Sequence, residues 1–318
     1  MIFPGALGDL ICLIPALRAL ARHHPRATPD STLELMARAE LARFATGRLD
    51  FTPSYSRGYS IDRREVAQLF AAGSGPVASE ARAFFGAFSH VYSFFGADDE
   101  HFRAALEDAS GGRASFFPFR PPGAGHVAAA YLRQIHAYLG TPAGADAAAA
   151  LNCSFELHRE DLDLAEDRLA GLGLEPRRFI LILPGSGSFV KNWPAENFAA
   201  LAEALATRLH PLVILGPAEA ALEPIFAARR LPLLSGLELA EVAALARLTA
   251  TFVGNDSGVS HLAAAAGAAG LAIFGPTDPE RWRPLGRTTI IQREPLSALT
   301  PAEVQTAILA IIGADNPE

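Results

Sequence analysis

The chain has 318 residues, more than one hydrophobic core usually serves, so two domains of ordinary size are expected. Half of the residues are hydrophobic and 19% are charged, which excludes an intrinsically disordered chain. The formal net charge is -7, so the chain does not have the overall basic charge that is typical of nucleic-acid-binding proteins. A local basic face is still compatible with this total. The two cysteines, Cys12 and Cys153, are too few for a disulfide framework or a thiolate metal site, which favours the reducing cytosol.

Neither a targeting signal nor a membrane span is predicted. Residues 1–4 contain no basic side chain, and Asp9 interrupts the apolar stretch that follows, which argues against a signal peptide. The longest run without an acidic residue, lysine or arginine covers residues 257–277, about the length that crosses a bilayer. Because this run contains a histidine, a proline and four glycines, we expect a buried helix followed by a buried strand.

Apolar spacing in the first half of the chain predicts helices and short strands. The predicted helices cover residues 10–21 and 126–139, and the predicted strands cover residues 33–36 and 90–95. Gly140, which follows the second helix, is a usual helix stop. An alanine-rich stretch at 146–151 then gives way to a more polar sequence near residue 155, and we therefore place a domain boundary after residue 152.

Beyond this boundary, strands and helices alternate more regularly. Strands are predicted at 179–183, 212–215, 251–253 and 271–274, and helices at 195–209, 218–229, 239–248 and 257–266. This alternation predicts βαβ units around a parallel sheet. We expect an N-terminal domain at 1–152, a second α/β domain at 153–298 and a cleft between them. The sequence leaves open whether the helix of the remaining segment, 299–318, packs back on the first domain.

Ligands of parallel α/β sheets bind beyond the carboxyl ends of the strands, so the loops between strands and helices are the candidate sites. The first such loop is the glycine-containing segment 5–9 (GALGD), where the backbone can approach a ligand closely. Asp9, at its end, is either the N-cap of the following helix or a general base acting on a hydroxyl. Spacing alone favours the cap.

The loop after the strand at 179–183 combines glycines and serines with the only lysine of the chain. Its segment 184–188 (PGSGS) offers N–H groups and hydroxyls that suit phosphate oxygens, although it is neither a P-loop nor a dinucleotide fingerprint. Lys191 follows, the single lysine among 27 basic residues. A compact ammonium suits a site that needs a point charge, and chance survival on an exposed face is the equally weighted alternative.

The loop at 254–258 (GNDSG) lies between a predicted strand and a predicted helix, where amide groups and the helix dipole suit a diphosphate. The structural alternative is that Asp256 and Ser257 cap the helix and that His261, one turn on, is a satisfied core histidine. For each residue taken singly this alternative is favoured. The glycines around Ser257 do not match a hydrolase nucleophile elbow.

Two further loops carry candidate motifs. The segment 274–279 (FGPTDP), followed by Trp282, is compatible with ordinary turn chemistry, and the segment 215–219 carries a carboxylate at Glu219. The sequence contains no HExxH motif, no paired cysteines and no carboxylate cluster with metal-ligand spacing. We therefore expect no tightly bound metal.

Together these motifs resemble glycosyltransferase family 9, the bacterial ADP-heptose:lipopolysaccharide heptosyltransferases. The resemblance rests on residues 5–9 with Pro15, on 184–186 with Lys191, Trp193 and Pro194, on 254–258 with His261, and on 274–279. It covers nearly the whole chain with four motifs in the order of the family. It implies a GT-B fold, an α/β architecture in which two Rossmann-like domains face each other across a central cleft.

The resemblance also implies an inverting, metal-independent transfer of heptose from ADP-heptose to a lipopolysaccharide inner-core acceptor. By position, the resemblance makes Asp9 the base that activates the acceptor hydroxyl, which reverses the preference for a helix cap. It makes Lys191 the cation that offsets negative charge on the leaving diphosphate. Glu219 matches a carboxylate for the ribose, and Leu237 lies near the nucleobase. The other matched donor-binding positions are Ser186, Gly187, Asp256, Ser257, Gly258 and His261.

The expected partners are a nucleotide-sugar donor and an anionic glycolipid at the inner face of the cytoplasmic membrane. The resemblance implies a cytoplasmic protein that is peripheral to that membrane and has no transmembrane segment. We expect it to be a monomer that needs no cofactor and binds no nucleic acid. For acceptor binding we expect Gly8 and, from local charge, arginines of the first half. These are Arg57, Arg63, Arg64 and Arg120.

One departure from the family concerns the first strand. A full strand precedes the first glycine loop in the family, whereas here only residues 1–4 do, with Pro4 where pairing is hindered. We expect this stub to lower stability or activity relative to a longer form. Two other functions stay open: the same fold with another nucleotide sugar or surface-glycan acceptor, and a catalytically silent nucleotide-sugar-binding protein. The presence of both Asp9 and Lys191 argues against the silent protein.

Overall fold

The computed structural model describes residues 1–23, 31–49, 57–72, 75–141 and 151–315, and the chain forms two compact units. The first unit contains residues 1–6, 15–123 and 128–145, and the second contains residues 7–14, 124–127 and 146–318. The second unit therefore includes the start of the first helix and, with it, Asp9. The alanine-rich residues 146–150, on which the predicted boundary partly rests, lie outside the described residues.

Short parallel strands and surrounding helices build the first unit. Its strands are β1 (Leu35–Ala37), β2 (Gly58–Ser60), β3 (Val91–Ser93) and β4 (Ala114–Phe116), in which β1 pairs with β2 and β3 with β4. The helices of this half of the chain are α1 (Leu7–His23), α2 (Ala39–Ala45), α3 (Arg64–Ala71), α4 (Ser79–Gly86), α5 (Glu100–Ala109) and α6 (Val127–Leu139). Gly140 ends α6 at a φ of 65°, as predicted.

Residues 1–3 join the two strand pairs of the first unit. The N–H of Ile2 donates to the carbonyl oxygen of Tyr92 at 2.7 Å, and the N–H of Phe3 donates to that of Met36 at 2.8 Å. Ile2 thereby bridges β1 and β3 in parallel register, and both Ile2 and Phe3 are buried. One bridging residue thus takes the central position of the unit, and its effect on stability stays a prediction.

A six-stranded, fully parallel sheet forms the centre of the second unit. Its strands are β5 (Phe179–Leu183), β6 (His210–Leu215), β7 (Leu233–Ser235), β8 (Thr251–Asn255), β9 (Gly270–Phe274) and β10 (Thr288–Gln292), in the order β10-β9-β8-β5-β6-β7. The helices are α7 (Arg159–Gly171), α8 (Ala195–Leu205), α9 (Glu223–Ala227), α10 (Leu239–Leu248), α11 (Gly258–Ala265), α12 (Pro279–Trp282) and α13 (Pro301–Asp315). Short 3₁₀ helices cover Phe189–Lys191, Pro217–Leu222 and Leu296–Ala298.

The predicted helix at 218–229 is wrong as a single element. The chain forms the 3₁₀ helix Pro217–Leu222 and then α9, which begins at Glu223. Pro224 has no N–H to donate and is tolerated only in the first turn of a helix, so it sits at the start of a new helix rather than inside one.

The core of the second unit explains where α13 belongs. Val304 and Ile308 on this helix are 0% exposed and pack in one hydrophobic cluster with Phe198 of α8 and with Val253 of β8. The C-terminal helix is therefore part of the second unit. Among the described residues, no helix is both long and apolar enough to cross a membrane.

The strand order places a topological switch point between β5 and β8. From β5 the chain proceeds outward through β6 to β7, and from β8 it proceeds in the opposite direction through β9 to β10. Loops that leave the carboxyl ends of two such strands diverge and leave a crevice between them, which is where α/β sheets bind their ligands. These two loops are the segment 184–188 and the part of the segment 254–258 that follows β8, both singled out from the sequence.

Candidate active site

An ion pair links the loops at the switch point. Lys191 Nζ donates to Asp256 Oδ2 at 2.8 Å. The side chain of Asp256 is 7% exposed, and that of Lys191 is 33% exposed. The buried carboxylate thus orients the Lys191 ammonium, which is itself still accessible from solvent.

The N-terminus of α11 lies directly behind Asp256. Ser257 is the N-cap, and its Oγ accepts the N–H of Ser260 at 3.4 Å, so the capping role considered from the sequence is confirmed for Ser257. Asp256 is not the cap, because Ser257 occupies the N-cap position, and the carboxylate of Asp256 pairs with Lys191. The first-turn amides that remain free of intrahelical partners give this end of α11 a partial positive charge.

Two glycines let the N-termini of α1 and α11 touch. A Cβ on Gly258 would lie 2.9 Å from Leu7 Cβ and 3.0 Å from the backbone nitrogen of Gly8, distances at which something must shift. A Cβ on Gly8 would in turn lie 3.2 Å from Cδ2 of His261. The first turn of α1 is therefore held against the loop that is predicted to bind the diphosphate.

Asp9 stands in that first turn. Because α1 begins at Leu7, Asp9 is inside the helix, and the N-cap role that spacing favoured is wrong. A carboxylate in a first turn still interacts favourably with the helix dipole. Its position next to the contact between Gly8 and Gly258 brings the predicted base and the predicted diphosphate loop into one unit.

His261 is a buried histidine whose ring bonds to other segments of the second unit. Its Nδ1 lies 3.6 Å from Cys12 Sγ on α1, and its ring also bonds to the backbone carbonyl of Trp282. Burial lowers the pKa of His261 to about 4, and burial raises the pKa of the Cys12 thiol, so both groups are neutral near pH 7. This geometry supports the core-histidine alternative, and a direct contact of His261 with a donor stays a prediction.

The loop after β5 is closed by its own serines. Ser186 Oγ donates to the carbonyl oxygen of Ser188 at 2.7 Å and accepts the N–H of Ser188 at 3.2 Å. Beside them, Gly187 has open space where a side chain would be. The loop is thus preformed and presents its backbone at Gly187, while contact of Ser186 and Gly187 with phosphate stays a prediction.

Glu219 lies against the same loop. A Cβ on Gly185 would lie 2.5 Å from Cγ of Glu219, and a Cβ on Gly216 would lie 2.6 Å from its Oε2. The carboxylate accepts the N–H of Gly216 and its own N–H, yet burial outweighs these bonds and raises its pKa. Leu237, predicted near the nucleobase, is half-buried and lies two residues before α10 begins.

The predicted acceptor arginines lie in the first unit and differ in their surroundings. Arg63 Nη2 donates to Glu65 Oε1 at 2.7 Å, and its guanidinium lies 4.5 Å from the centre of the Phe84 ring. Arg64 is 79% exposed, with a carboxylate oxygen only at 3.9 Å. Arg57 and Arg120 are also exposed, the latter over the ring of Phe119.

Asn255 and Cys12 both make contacts in the site, but the sequence predicts no separate role for either residue. An amide shortly after the apolar pair Phe252 and Val253 was the available signal for Asn255, which is fully buried. Within the described part of the chain, no group of three His, Cys, Asp or Glu side chains could hold a metal ion.

Comparisons with known proteins give one family match and several structural matches. The model of glycosyltransferase family 9 (heptosyltransferase) matches residues 120–308. The structure of E. coli ADP-heptose lps heptosyltransferase II is 18% identical, with a TM-score of 0.74 over 99% of this chain and 98% of that one. A family 9 glycosyl transferase from Veillonella parvula DSM 2008 is 16% identical, with a TM-score of 0.76 over 98% of this chain and 95% of that one.

A third solved structure, E. coli heptosyltransferase WaaC with ADP, is 18% identical, with a TM-score of 0.64 over 96% of this chain and 97% of that one. A search of curated proteins found no significant match. At these identities the likeness shows the fold, and the expected α/β fold of GT-B type is confirmed.

Proposed function

The chain belongs to glycosyltransferase family 9, and from this membership we propose that it transfers a heptose from ADP-heptose to a lipopolysaccharide inner-core acceptor, with inversion and without a bound metal. The observation that carries the proposal is the ion pair between Lys191 and Asp256 at the switch point of the second sheet. It places the only lysine of the chain beside the N-terminus of α11.

On the donor side, the leaving group is a nucleoside diphosphate that gains negative charge as its bond to the sugar breaks. The Lys191 ammonium and the first amides of α11 are preorganised donors for that charge. Such donors contribute about 3–4 kcal/mol each to transition-state stabilisation in well-studied sites. Ser186, Gly187 and Gly258 complete the proposed diphosphate contacts, and Glu219 and Leu237 the nucleoside contacts.

On the acceptor side, Asp9 is the proposed general base. Its carboxylate takes the proton of the acceptor hydroxyl while the hydroxyl oxygen attacks the anomeric carbon of the donor sugar. The bond from that carbon to the diphosphate oxygen breaks, and its electron pair leaves with the diphosphate. One displacement inverts the anomeric configuration and requires no covalent intermediate.

The acceptor in this proposal is an anionic glycolipid, reached by a monomeric protein at the inner face of the cytoplasmic membrane. Exposed guanidinium groups of the first unit supply complementary charge. Arg57, Arg64 and Arg120 are the exposed members of the predicted set, and Arg63 contributes in spite of its pairing with Glu65.

Calorimetric binding of ADP, UDP and GDP to the wild-type protein and to Lys191→Ala tests the donor. We expect tight binding of ADP that is lost in Lys191→Ala and retained in Arg293→Ala, which removes an exposed cation paired with Glu303. A preference for UDP or GDP would contradict the ADP-sugar donor while leaving the family intact.

A product assay with ADP-heptose and a deacylated inner-core acceptor tests the transfer itself. Sugar transfer that depends on Asp9 is expected, because the acceptor hydroxyl needs a base. Nucleotide binding without transfer to any glycan would contradict the enzymatic proposal and favour a silent nucleotide-sugar-binding protein.

A further inference from the structure

A buried amide side chain joins the two loops that meet at the switch point. Asn255 is the last residue of β8 and is 0% exposed. Its Nδ2 donates to the carbonyl oxygen of Pro184 at 2.7 Å, and its Oδ1 accepts the backbone N–H of Trp193 at 2.9 Å. A longer contact of 3.4 Å runs from Nδ2 to Oδ1 of Asn192.

These partners stand at the two ends of one loop. Pro184 directly follows β5, and Trp193 lies two residues before α8 begins at Ala195. Residues 185–191 therefore lie in a lobe whose two ends are tied to a single side chain. Lys191 lies at the end of that lobe. After Asn255 the chain continues into Asp256, which accepts the ammonium of Lys191.

The backbone of Asn255 is fixed as firmly as its side chain. Its carbonyl oxygen accepts the hydroxyl of Ser260 at 2.7 Å, and it pairs with Ile273 in the ladder between β8 and β9. One residue therefore ties the lobe that carries Lys191, the loop that carries Asp256 and the first turn of α11 to the same point of the sheet.

An amide is the side chain that this position requires. It must donate to one backbone oxygen and accept from one backbone N–H at the same time. A carboxylate of the same shape accepts but does not donate, and an aliphatic side chain does neither. A buried backbone group without a partner is costly, so the lobe would move rather than leave the carbonyl of Pro184 unpaired.

From these contacts we infer that Asn255 is a positioning residue for the sugar transfer, holding the Lys191 ammonium where the leaving diphosphate gains charge. The inference rests on the proposed function. Asn255 touches no substrate in this scheme and acts through Lys191 and Asp256. A misplacement of about 1 Å in such a preorganised site costs on the order of 100-fold in rate.

The test compares Asn255→Asp and Asn255→Ala with a matched control, Thr249→Val. Thr249 is also 0% exposed, and its hydroxyl lies 2.9 Å from the carbonyl oxygen of Phe179 and 2.7 Å from that of Thr251, at the opposite ends of β5 and β8. The control thus removes buried hydrogen bonds from the same two strands without touching either loop.

Five quantities are measured for each protein. They are the melting temperature, the kcat and acceptor KM of sugar transfer, the affinity for ADP, and the amide hydrogen exchange of residues 185–191. We expect Asn255→Asp to lose about 100-fold in kcat with an unchanged acceptor KM, and to exchange faster over 185–191. Thr249→Val should lower the melting temperature and change neither kcat nor that exchange.

Unchanged kcat and exchange in both Asn255 variants would overturn the inference, as would an equal loss of kcat in Thr249→Val. If Asn255→Ala does not fold, Asn255→Asp carries the comparison, because it keeps the volume and the acceptor for Trp193. A wild-type protein that binds ADP but transfers no sugar contradicts the proposed function alone, and exchange and ADP affinity then decide the role of Asn255. A wild-type protein that binds no nucleoside diphosphate contradicts both.

Discussion

Lys191 Nζ and Asp256 Oδ2 lie 2.8 Å apart although the two residues are separated by 65 positions in the sequence. They meet because β5 and β8 are neighbours in the sheet and the loops after them leave from the same edge. The carboxylate is nearly buried and the ammonium is not. Asp256 therefore fixes the direction of the Lys191 ammonium and leaves it partly exposed.

Replacing Lys191 should weaken catalysis more than folding. We expect Lys191→Ala to lower kcat about 100- to 1,000-fold, because a preorganised donor to the leaving diphosphate is lost. Lys191→Arg should restore little, since a planar guanidinium differs from an ammonium in shape and hydration. Steady-state kinetics on both variants measure this. Arg159→Ala, which removes an exposed cation on α7, is the control, and full activity in Lys191→Arg would contradict the point-charge role.

The contact between α1 and α11 should not tolerate a side chain at Gly258. In Gly258→Ala the new Cβ meets Leu7 Cβ at 2.9 Å and the nitrogen of Gly8 at 3.0 Å, so the first turn of α1 must shift. We expect a loss of about 1–3 kcal/mol in the free energy of unfolding and a lower kcat, because Asp9 moves with that turn. Denaturant unfolding and kinetics measure the two effects.

Gly313→Ala is the matched control for that substitution. Gly313 is exposed on α13, and an added Cβ there meets nothing within 4 Å. Alanine in a helix is more favourable than glycine by roughly 0.5–1 kcal/mol, so this variant should be slightly more stable and fully active. If Gly258→Ala and Gly313→Ala have the same kcat and the same free energy of unfolding, the close approach at Gly258 is not needed for activity or stability.

The central elements of the second unit could be predicted to the residue. Phe179–Leu183 is β5 and Leu239–Leu248 is α10, because a short apolar run and a helical apolar spacing are strong local signals. The strands β2, β4, β7 and β10 were not predicted. They are only partly buried, and so their sequences show neither a continuous apolar run nor a clear alternation.

The site was predictable as a set of loops and not as a set of contacts. Glycine, serine and lysine in strand-to-helix loops are local signals for phosphate, and the sequence carries them. The contacts of Asn255 and of Cys12 depend on which strands and helices become neighbours, which local periodicity does not encode. Asp9 was misplaced as a cap because helix boundaries depend on packing, here of Leu7 and Gly8 against Gly258.

Glu219 and Gly185 should behave as one unit. Gly185→Ala places a methyl group where the Glu219 carboxyl stands, so the side chain must leave. We expect Gly185→Ala and Glu219→Ala each to weaken ADP binding about tenfold, and the double variant to be no weaker than either single one. Calorimetry on the four proteins of this cycle measures the coupling, and additive losses would show that Gly185 acts independently of Glu219.

The neighbouring arginines Arg63 and Arg64 should separate stability from acceptor binding. Arg63 bonds to Glu65 and lies over Phe84, so Arg63→Ala should lower the melting temperature. Arg64 is largely exposed, so Arg64→Ala should leave the melting temperature unchanged and raise the acceptor KM on the order of tenfold, the loss of one charge-assisted hydrogen bond. An unchanged acceptor KM in both variants would contradict an acceptor role for this basic pair.

His261 should make the protein less stable in mild acid. Its pKa is about 4 in the folded protein, against 6.5 for an unperturbed histidine, because burial disfavours the charged ring. Below pH 6.5 the unfolded chain binds a proton that the folded chain excludes until about pH 4. The free energy of unfolding therefore falls as the pH decreases through this window, by up to about 3 kcal/mol.

Denaturant unfolding of the wild-type protein and of His261→Gln between pH 6.5 and 4 measures that contribution. The buried His126, whose pKa burial also lowers, is present in both proteins, so only the difference between their slopes reports on His261. His210→Gln, which replaces an exposed histidine of β6, is the control for substituting a histidine outside the core. Equal slopes in wild type and His261→Gln would mean that the ring of His261 takes up its proton in the folded state without cost.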